Sequence, residues 1–177
     1  NVEVAAGIPS LMMGYNLEDG AAEGIDEDAV ISPLGVFGCI CPFNFPAMIP
    51  YWFWPYAVAT GNTYIVKPSS QVPVTQNYMT KLVEQAGFPP GVLNIVNGSH
   101  EVSDTLMEHP KVKGISFVGS SPVAKYIYKH SAEHGKRVQA QENVAIDPGR
   151  GFSFGFIQVQ VAPDGIADLE ITQHIAH

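Results

Sequence analysis

Between Val36 and Gln141 the chain alternates short β-branched runs with longer stretches whose apolar residues recur at helical spacing. That alternation constrains the fold more than any other feature. Val36–Cys41, Thr63–Val66, Val92–Val96, Gly114–Val118 and the neighbourhood of Val138 read as strands. A first helix is predicted from about Pro46 to Ala59, with Gly61 as its stop. Val74, Tyr78, Leu82, Val83 and Ala86 mark a second, closed by Gly87, Pro89 and Pro90. Ser99 is placed to cap a short third helix carrying Val102 and Leu106, which ends before Pro110. Ser121 and Pro122 take the N-cap and N1 positions of a fourth, which runs to about His134 and stops at Gly135. Helical crossovers between successive strands lay those strands parallel. The expected fold class is α/β, a doubly wound parallel five-stranded sheet with an N-terminal arm and a C-terminal β-hairpin.

The flanks depart from this rhythm. Residues 1–35 open like the end of a helix and continue as a polar, hairpin-like stretch through Asp19, Gly20, Asp26 and Asp28. After Gln141, Asp147-Pro148-Gly149 reads as a turn. Phe152–Val161 and Ile166–Ile171 then flank Pro163-Asp164-Gly165, which predicts a β-hairpin. The chain thus divides into an arm over 1–35, a sheet domain over 36–141 and a tail over 142–177.

Composition excludes several classes of function. A hydrophobic fraction of 46% with 15% charged residues describes a folded chain. The net charge of −8 argues against a nucleic-acid footprint. The longest apolar run, Phe45 to Thr60, carries three prolines and is too short to span a membrane. Residue 1 is Asn, with no basic segment ahead of an apolar core, so no signal peptide is expected. Cys39 and Cys41 lie two apart in a strand, a spacing that disfavours an internal bridge. A reducing compartment, the cytoplasm or a mitochondrial matrix, is therefore expected. His174 and His177 have a metal-like spacing but no third ligand near them in sequence, so no metal centre is expected.

In a doubly wound sheet, ligands bind beyond the carboxyl ends of the strands. Three polar features fall there: Asn44 after the first strand, Lys67 at the end of the second, and Gly119-Ser120 before the last helix. A Gly–Ser loop feeding a helix N-terminus offers free N–H groups and a favourable dipole to a pyrophosphate. A neighbouring lysine suits ribose hydroxyls or a phosphate. Each also has a plain reading: a turn, a solvated lysine, a capping asparagine. The Gly-x-Gly-x-x-Gly dinucleotide fingerprint is absent.

Four motifs occur in order: Ile40-Cys41-Pro42-Phe43-Asn44-Phe45-Pro46; Gly61-Asn62-Thr63 with Lys67-Pro68-Ser69; the run from Gly87 to Gly98; and Ile115-Ser116-Phe117-Val118-Gly119-Ser120. Together they resemble the aldehyde dehydrogenase superfamily, whose cofactor domain is Rossmann-like. Phe43, where many members carry Trp, and Gly135-Lys136-Arg137-Val138-Gln139-Ala140 are similar to its CoA-acylating methylmalonate-semialdehyde branch. The resemblance covers roughly residues 1–141. It implies that Asn44 supplies an oxyanion-hole amide, a kind of donor that stabilises the transition state by roughly 3 kcal/mol. It also implies that Lys67 contacts the adenosine ribose and that Ser120, beside Gly119, holds the pyrophosphate. Cys41 and Phe43 would line the nicotinamide side, or serve simply as core residues.

Where this sequence departs from the family pattern, the expectations change. Ser70 replaces the glutamate that grips the ribose 2′-hydroxyl; a serine tolerates a 2′-phosphate, so NADP is admitted beside NAD. Ala140 stands where many members carry a glutamate base, which suits CoA rather than water as the group that resolves a thioester. Glu142–His177 contains no cysteine, and Cys39 and Cys41 both precede Asn44. The expectation is a fragment of an enzyme oxidising a small malonate-type semialdehyde, without its nucleophile and forming a homo-oligomer. The alternative is a non-catalytic nucleotide-binding or oligomerisation module of the same ancestry.

Overall fold

The computed structural model describes residues 1–143 and 154–157. The arm comprises α1 (Val2–Ala6), α2 (Ile8–Leu11), β1 (Tyr15–Ala22) and β2 (Ile25–Ala29). β1 and β2 pair antiparallel in a separate two-stranded hairpin. The domain proper runs β3 (Val36–Ile40), a 3-10 turn (Pro50–Trp52), α3 (Trp54–Ala59), β4 (Thr63–Lys67), α4 (Pro73–Gln85) and β5 (Leu93–Ile95). It continues with α5 (His100–Glu108), β6 (Val112–Gly119), α6 (Ser121–Glu133) and β7 (Arg137–Asn143). A last strand, β8, spans Phe154–Ile157.

The main sheet has the order β5-β4-β3-β6-β7-β8. Its first five strands are mutually parallel, as the alternation predicts. Period-two side-chain alternation splits the apolar residues between two layers. Cys39, Cys41, Tyr64, Val66 and Val118 pack with Ile49, Phe53, Trp54 and Val83 on one face. Ile40, Ile115, Phe117 and Ala140 pack with Leu106, Met107, Ala124 and Ile127 on the other. Ile49, Tyr64, Met107, Ile115 and Ile127 are fully buried. Each of these isoleucine and methionine side chains stabilises the fold by about 1.5–3 kcal/mol before the entropy of ordering it.

Asn62 explains why Gly61-Asn62-Thr63 stands where it does. Its Oδ1 accepts from the backbone N–H groups of Leu34 (2.7 Å) and Gly35 (2.9 Å). The entry to β3 is thereby tied to the start of β4. Gly61, with φ +79°, supplies the left-handed turn that ends α3.

Two sequence expectations need correction. The helix predicted over Pro46–Ala59 is reduced to the 3-10 turn and the six residues of α3. Proline at 46, 50 and 55 removes N–H donors along that stretch, so a continuous helical ladder cannot form. The N-cap of the last helix is Ser120 (φ −71°, ψ 150°), one residue earlier than expected, because β6 runs on to Gly119. Phe154–Ile157 pairs antiparallel with β7, matching Ala140 to Ile157 and Asn143 to Phe154. The rest of the expected tail hairpin, the Asp147 turn, and His174 and His177 lie outside the described residues. No helix among the described residues is long and apolar enough to cross a membrane.

Candidate functional site

From β3 the chain steps outward through β4 to β5, then crosses back and places β6 on the other side of β3. The loops leaving β3 and β6 therefore diverge, and a crevice opens at the switch point between them. A cavity of about 890 Å³ occupies it. Ligand pockets commonly enclose ~300–1,000 Å³. The carboxyl ends of β3, β4 and β6 form its floor and rim, and α5 and α6 wall one side.

All seven residues singled out from the sequence line this cavity: Cys41, Phe43, Asn44, Lys67, Ser70, Gly119 and Ser120. They arrive from three separate strand ends. Phe43 and Asn44 lie on the exposed loop beyond β3, so the plain reading of Phe43 as a core residue does not hold: it is 57% exposed. Cys41 is both core and lining, being buried against the aromatic layer. Its Sγ lies 3.4 Å from that of Cys39, and both thiols are free. The hydrogen bond with Cys39 and burial together hold the Cys41 thiol well above its usual range; Lys67 opposes them weakly.

Lys67 is not the solvated surface lysine that a lone Lys-Pro would suggest. It is 6% exposed, and its Nζ donates to the Pro68 carbonyl at 3.3 Å. Among the described residues no carboxylate forms an ion pair with it. Burial lowers its pKa, and the Cys41 sulfur pulls the other way. A desolvated ammonium without a counter-charge favours an electron-rich ligand. Ser70 sits exposed on the turn after Lys67, where Ser69 Oγ accepts the Gln71 N–H at 3.3 Å.

At the opposite rim, α6 presents its amino end beside Ser120, whose carbonyl accepts the Ala124 N–H at 2.9 Å. The first-turn N–H groups have no partners within the helix and carry its positive dipole end. Gly119 is constrained sterically: a Cβ there would fall on the Phe117 ring, itself a cavity wall.

Sequence reasoning missed His100, Ser103, Asp104 and Tyr126, which line the cavity from α5 and α6. Tyr126 Oη donates to Asp104 Oδ1 at 3.0 Å and joins the two helices. They sit within α5 and α6, where the positional rule for strand ends gives no signal. Ala140 is 4% exposed and packs in the layer of Phe117 and Ile127, where its methyl serves the core.

A doubly wound sheet with a lysine-bearing crevice at its switch point defines a Rossmann-like α/β domain. The family model described as Aldehyde dehydrogenase family matches residues 1–142. The chain belongs to the aldehyde dehydrogenase family. It is 56% identical over 139 residues to a malonate-semialdehyde dehydrogenase of Bacillus pumilus (strain SAFR-032), covering 78% of this chain and 28% of the relative. A malonate-semialdehyde dehydrogenase 2 of Geobacillus kaustophilus (strain HTA426) is 55% identical, with the same coverage of 78% and 28%. Among solved structures, a protein assigned as a methylmalonate-semialdehyde dehydrogenase from Sinorhizobium meliloti 1021, complexed with NAD, superposes with a TM-score of 0.76 at 41% identity. The match covers 80% of this chain and 28% of that one. The methylmalonate-semialdehyde dehydrogenase of Oceanimonas doudoroffii gives a TM-score of 0.76 at 42% identity, covering 80% and 29%. The chain thus spans less than a third of the length of these relatives.

Proposed function

We propose that residues 36–141 form the cofactor domain of a CoA-acylating malonate- or methylmalonate-semialdehyde dehydrogenase and bind NAD in the switch-point crevice. Residues 1–35 are its arm, and residues 142–177 carry no assigned role. The observation that carries this reading is the convergence of all seven expected residues on one cavity of suitable size. The relatives' names and the NAD-bound neighbour support it. Lys67 holds the adenosine ribose, and Gly119 with Ser120 receives the pyrophosphate at the amino end of α6. Cys41 and Phe43 line the nicotinamide side, and Ser70 leaves space at the 2′ position, so NADP is tolerated.

The cofactor, when bound, supplies a hydride acceptor. The chain's own contribution is positional. Asn44 directs its side-chain amide at the aldehyde oxygen, where negative charge develops as a thiolate adds to the carbonyl. That thiolate comes from outside these 177 residues, since Cys39 and Cys41 are buried on the cofactor-domain strand. A small semialdehyde is the substrate, and CoA releases the acyl group, with Ala140 in place of a carboxylate base that would activate water. A reducing compartment, cytoplasm or mitochondrial matrix, suits the two free thiols.

The missing thiol favours a second reading for this polypeptide alone, a module that binds nucleotide without turning over. Calorimetry with NAD tests the shared part of both readings. Lys67→Ala is expected to weaken binding at least ~10-fold, because a hydrogen bond to a charged group contributes ~1.5–3 kcal/mol. Unchanged binding in that variant would place the nucleotide elsewhere.

A further inference from the structure

Outside the crevice, the far ends of α5 and α6 bring together a second set of ligating side chains. Glu108 is the last residue of α5, and His130 and His134 occupy the last turn and the C-cap of α6. One donor atom from each lies within 4.8 Å of the other two. His130 Nε2 is 3.1 Å from Glu108 Oε1. His134 Nδ1 is 2.8 Å from the His130 carbonyl oxygen, which can only accept. Nδ1 therefore carries the proton, and Nε2 of His134 keeps a lone pair free for a metal.

The cluster is also held in place. The Tyr126 ring stacks on the His130 ring at 5.5 Å and 12°, and its hydroxyl is fixed by Asp104 at 3.0 Å. The His130 and His134 rings are 4.8 Å apart. Backbone hydrogen bonding to a ligand histidine and packing against its ring are the supports that metal sites use.

We propose that Glu108, His130 and His134 form a binding site for a borderline divalent transition-metal ion such as Zn²⁺. Two neutral imidazoles and one carboxylate are a donor set suited to that class, leaving a position for water on the exposed side. On binding, the metal takes the place of the proton between His130 Nε2 and Glu108, and the neutral His130 ring carries its proton on Nδ1 instead. The ion would clamp α5 to α6 behind the wall that Asp104 and Tyr126 give the crevice. The spacing His130-Ser131-Ala132-Glu133-His134 is visible in the sequence, but Glu108 joins it only through the packing of the two helices.

Titration of the untagged 177-residue chain with Co²⁺ as a spectroscopic probe, and with Zn²⁺ by calorimetry, tests the site. One ion per chain is expected at micromolar metal, with a visible cobalt spectrum free of thiolate charge transfer. His130→Ala and Glu108→Gln should each weaken binding at least ~10-fold, the loss typical even of outer-shell partners. The His174→Ala/His177→Ala double variant should bind as the parent does. Circular dichroism of the metal-free variants checks their fold, and His134→Gln provides an independent substitution should one of them unfold. Absence of binding, a thiolate spectrum, affinity unchanged in the folded cluster variants, or affinity lost with the tail histidines would each overturn the proposal.

Discussion

The backbone N–H of Cys41 donates to the carbonyl oxygen of Lys67 at 3.1 Å, one step beyond the register pair of Ile40 with Lys67. This bond locks the carboxyl ends of β3 and β4 together and sets a thiol beside a buried ammonium. Proximity to a cation ordinarily activates a cysteine. Here the Cys39 hydrogen bond and burial outweigh it, and the Cys41 thiol is held well above its usual range.

A thiol in that state is protonated at neutral pH and chemically quiet. The 177-residue chain is expected to give no NAD reduction with methylmalonate semialdehyde and CoA, nor with propanal. Alkylation of its thiols by iodoacetamide should be slow in the native state and should accelerate sharply in urea. Turnover that disappears in Cys41→Ser but survives Asn44→Ala would refute the assigned roles of both residues.

Lys67 gives the pH dependence a definite sign. Burial lowers its folded pKa below the reference value of 10.5. Well below the folded pKa the lysine is charged in both states, and the full cost of burying the charge is present. As pH rises toward 10.5 the folded form loses its proton first and that cost is relieved. Stability relative to Lys67→Met, measured by urea unfolding, should therefore improve from neutral to alkaline pH. NAD affinity should fall over the same window, because the nucleotide favours the charged form. A stability difference between the two proteins that stays flat across this range would mean that Lys67 is solvated.

Ser70 addresses cofactor choice. Ser70→Glu is expected to weaken NADP binding at least ~10-fold while leaving NAD unchanged or tighter. That factor is modest beside the ~4 kcal/mol that separates two like charges 4 Å apart at an effective dielectric of ~20. Competition between the two nucleotides, followed by calorimetry, gives the ratio directly. Equal weakening of both would show that the side chain disturbs the turn rather than the 2′ position.

Strand and helix periodicity made the sheet legible because each buried strand in it reads as a β-branched run with a helix between it and the next. The same rule located Asn44, Lys67 and Gly119-Ser120, since position at a strand's carboxyl end follows from topology alone. What stayed hidden depended on packing. Asp104 and Tyr126 reach the crevice only because α5 lies against α6. The burial of Lys67 was equally unreadable, since Lys-Pro is locally a surface signal. The prolines at 46, 50 and 55 were visible, yet the aromatic run around them imitated a helical period. The tail's apolar strand is legible as a β-branched, aromatic run, but its pairing with β7 is not, because sequence alone does not say which edge an unpaired strand will choose.

That edge choice bears on assembly. β8 covers the outer edge of β7, so Phe154–Ile157 protects an edge within its own chain. The β1–β2 arm is the better element for joining copies. Tyr15, Leu17 and Ile25 are 72%, 48% and 52% exposed, and Val30 just beyond it is 82% exposed. We expect a homo-oligomer built through this arm. Glu18, Asp19, Glu23, Asp26, Glu27 and Asp28 crowd the same hairpin, so two copies repel at low salt. Added salt shortens the reach of that repulsion to within about 10 Å at ~0.1 M. Association measured by light scattering should therefore strengthen as salt is raised, and Leu17→Asp with Ile25→Asp should abolish it. Cutting the chain after Asn143 removes β8, bares the β7 edge and should increase association. A monomer at every salt concentration, or one unaffected by that cut, would remove the arm and the edge respectively from the account of assembly.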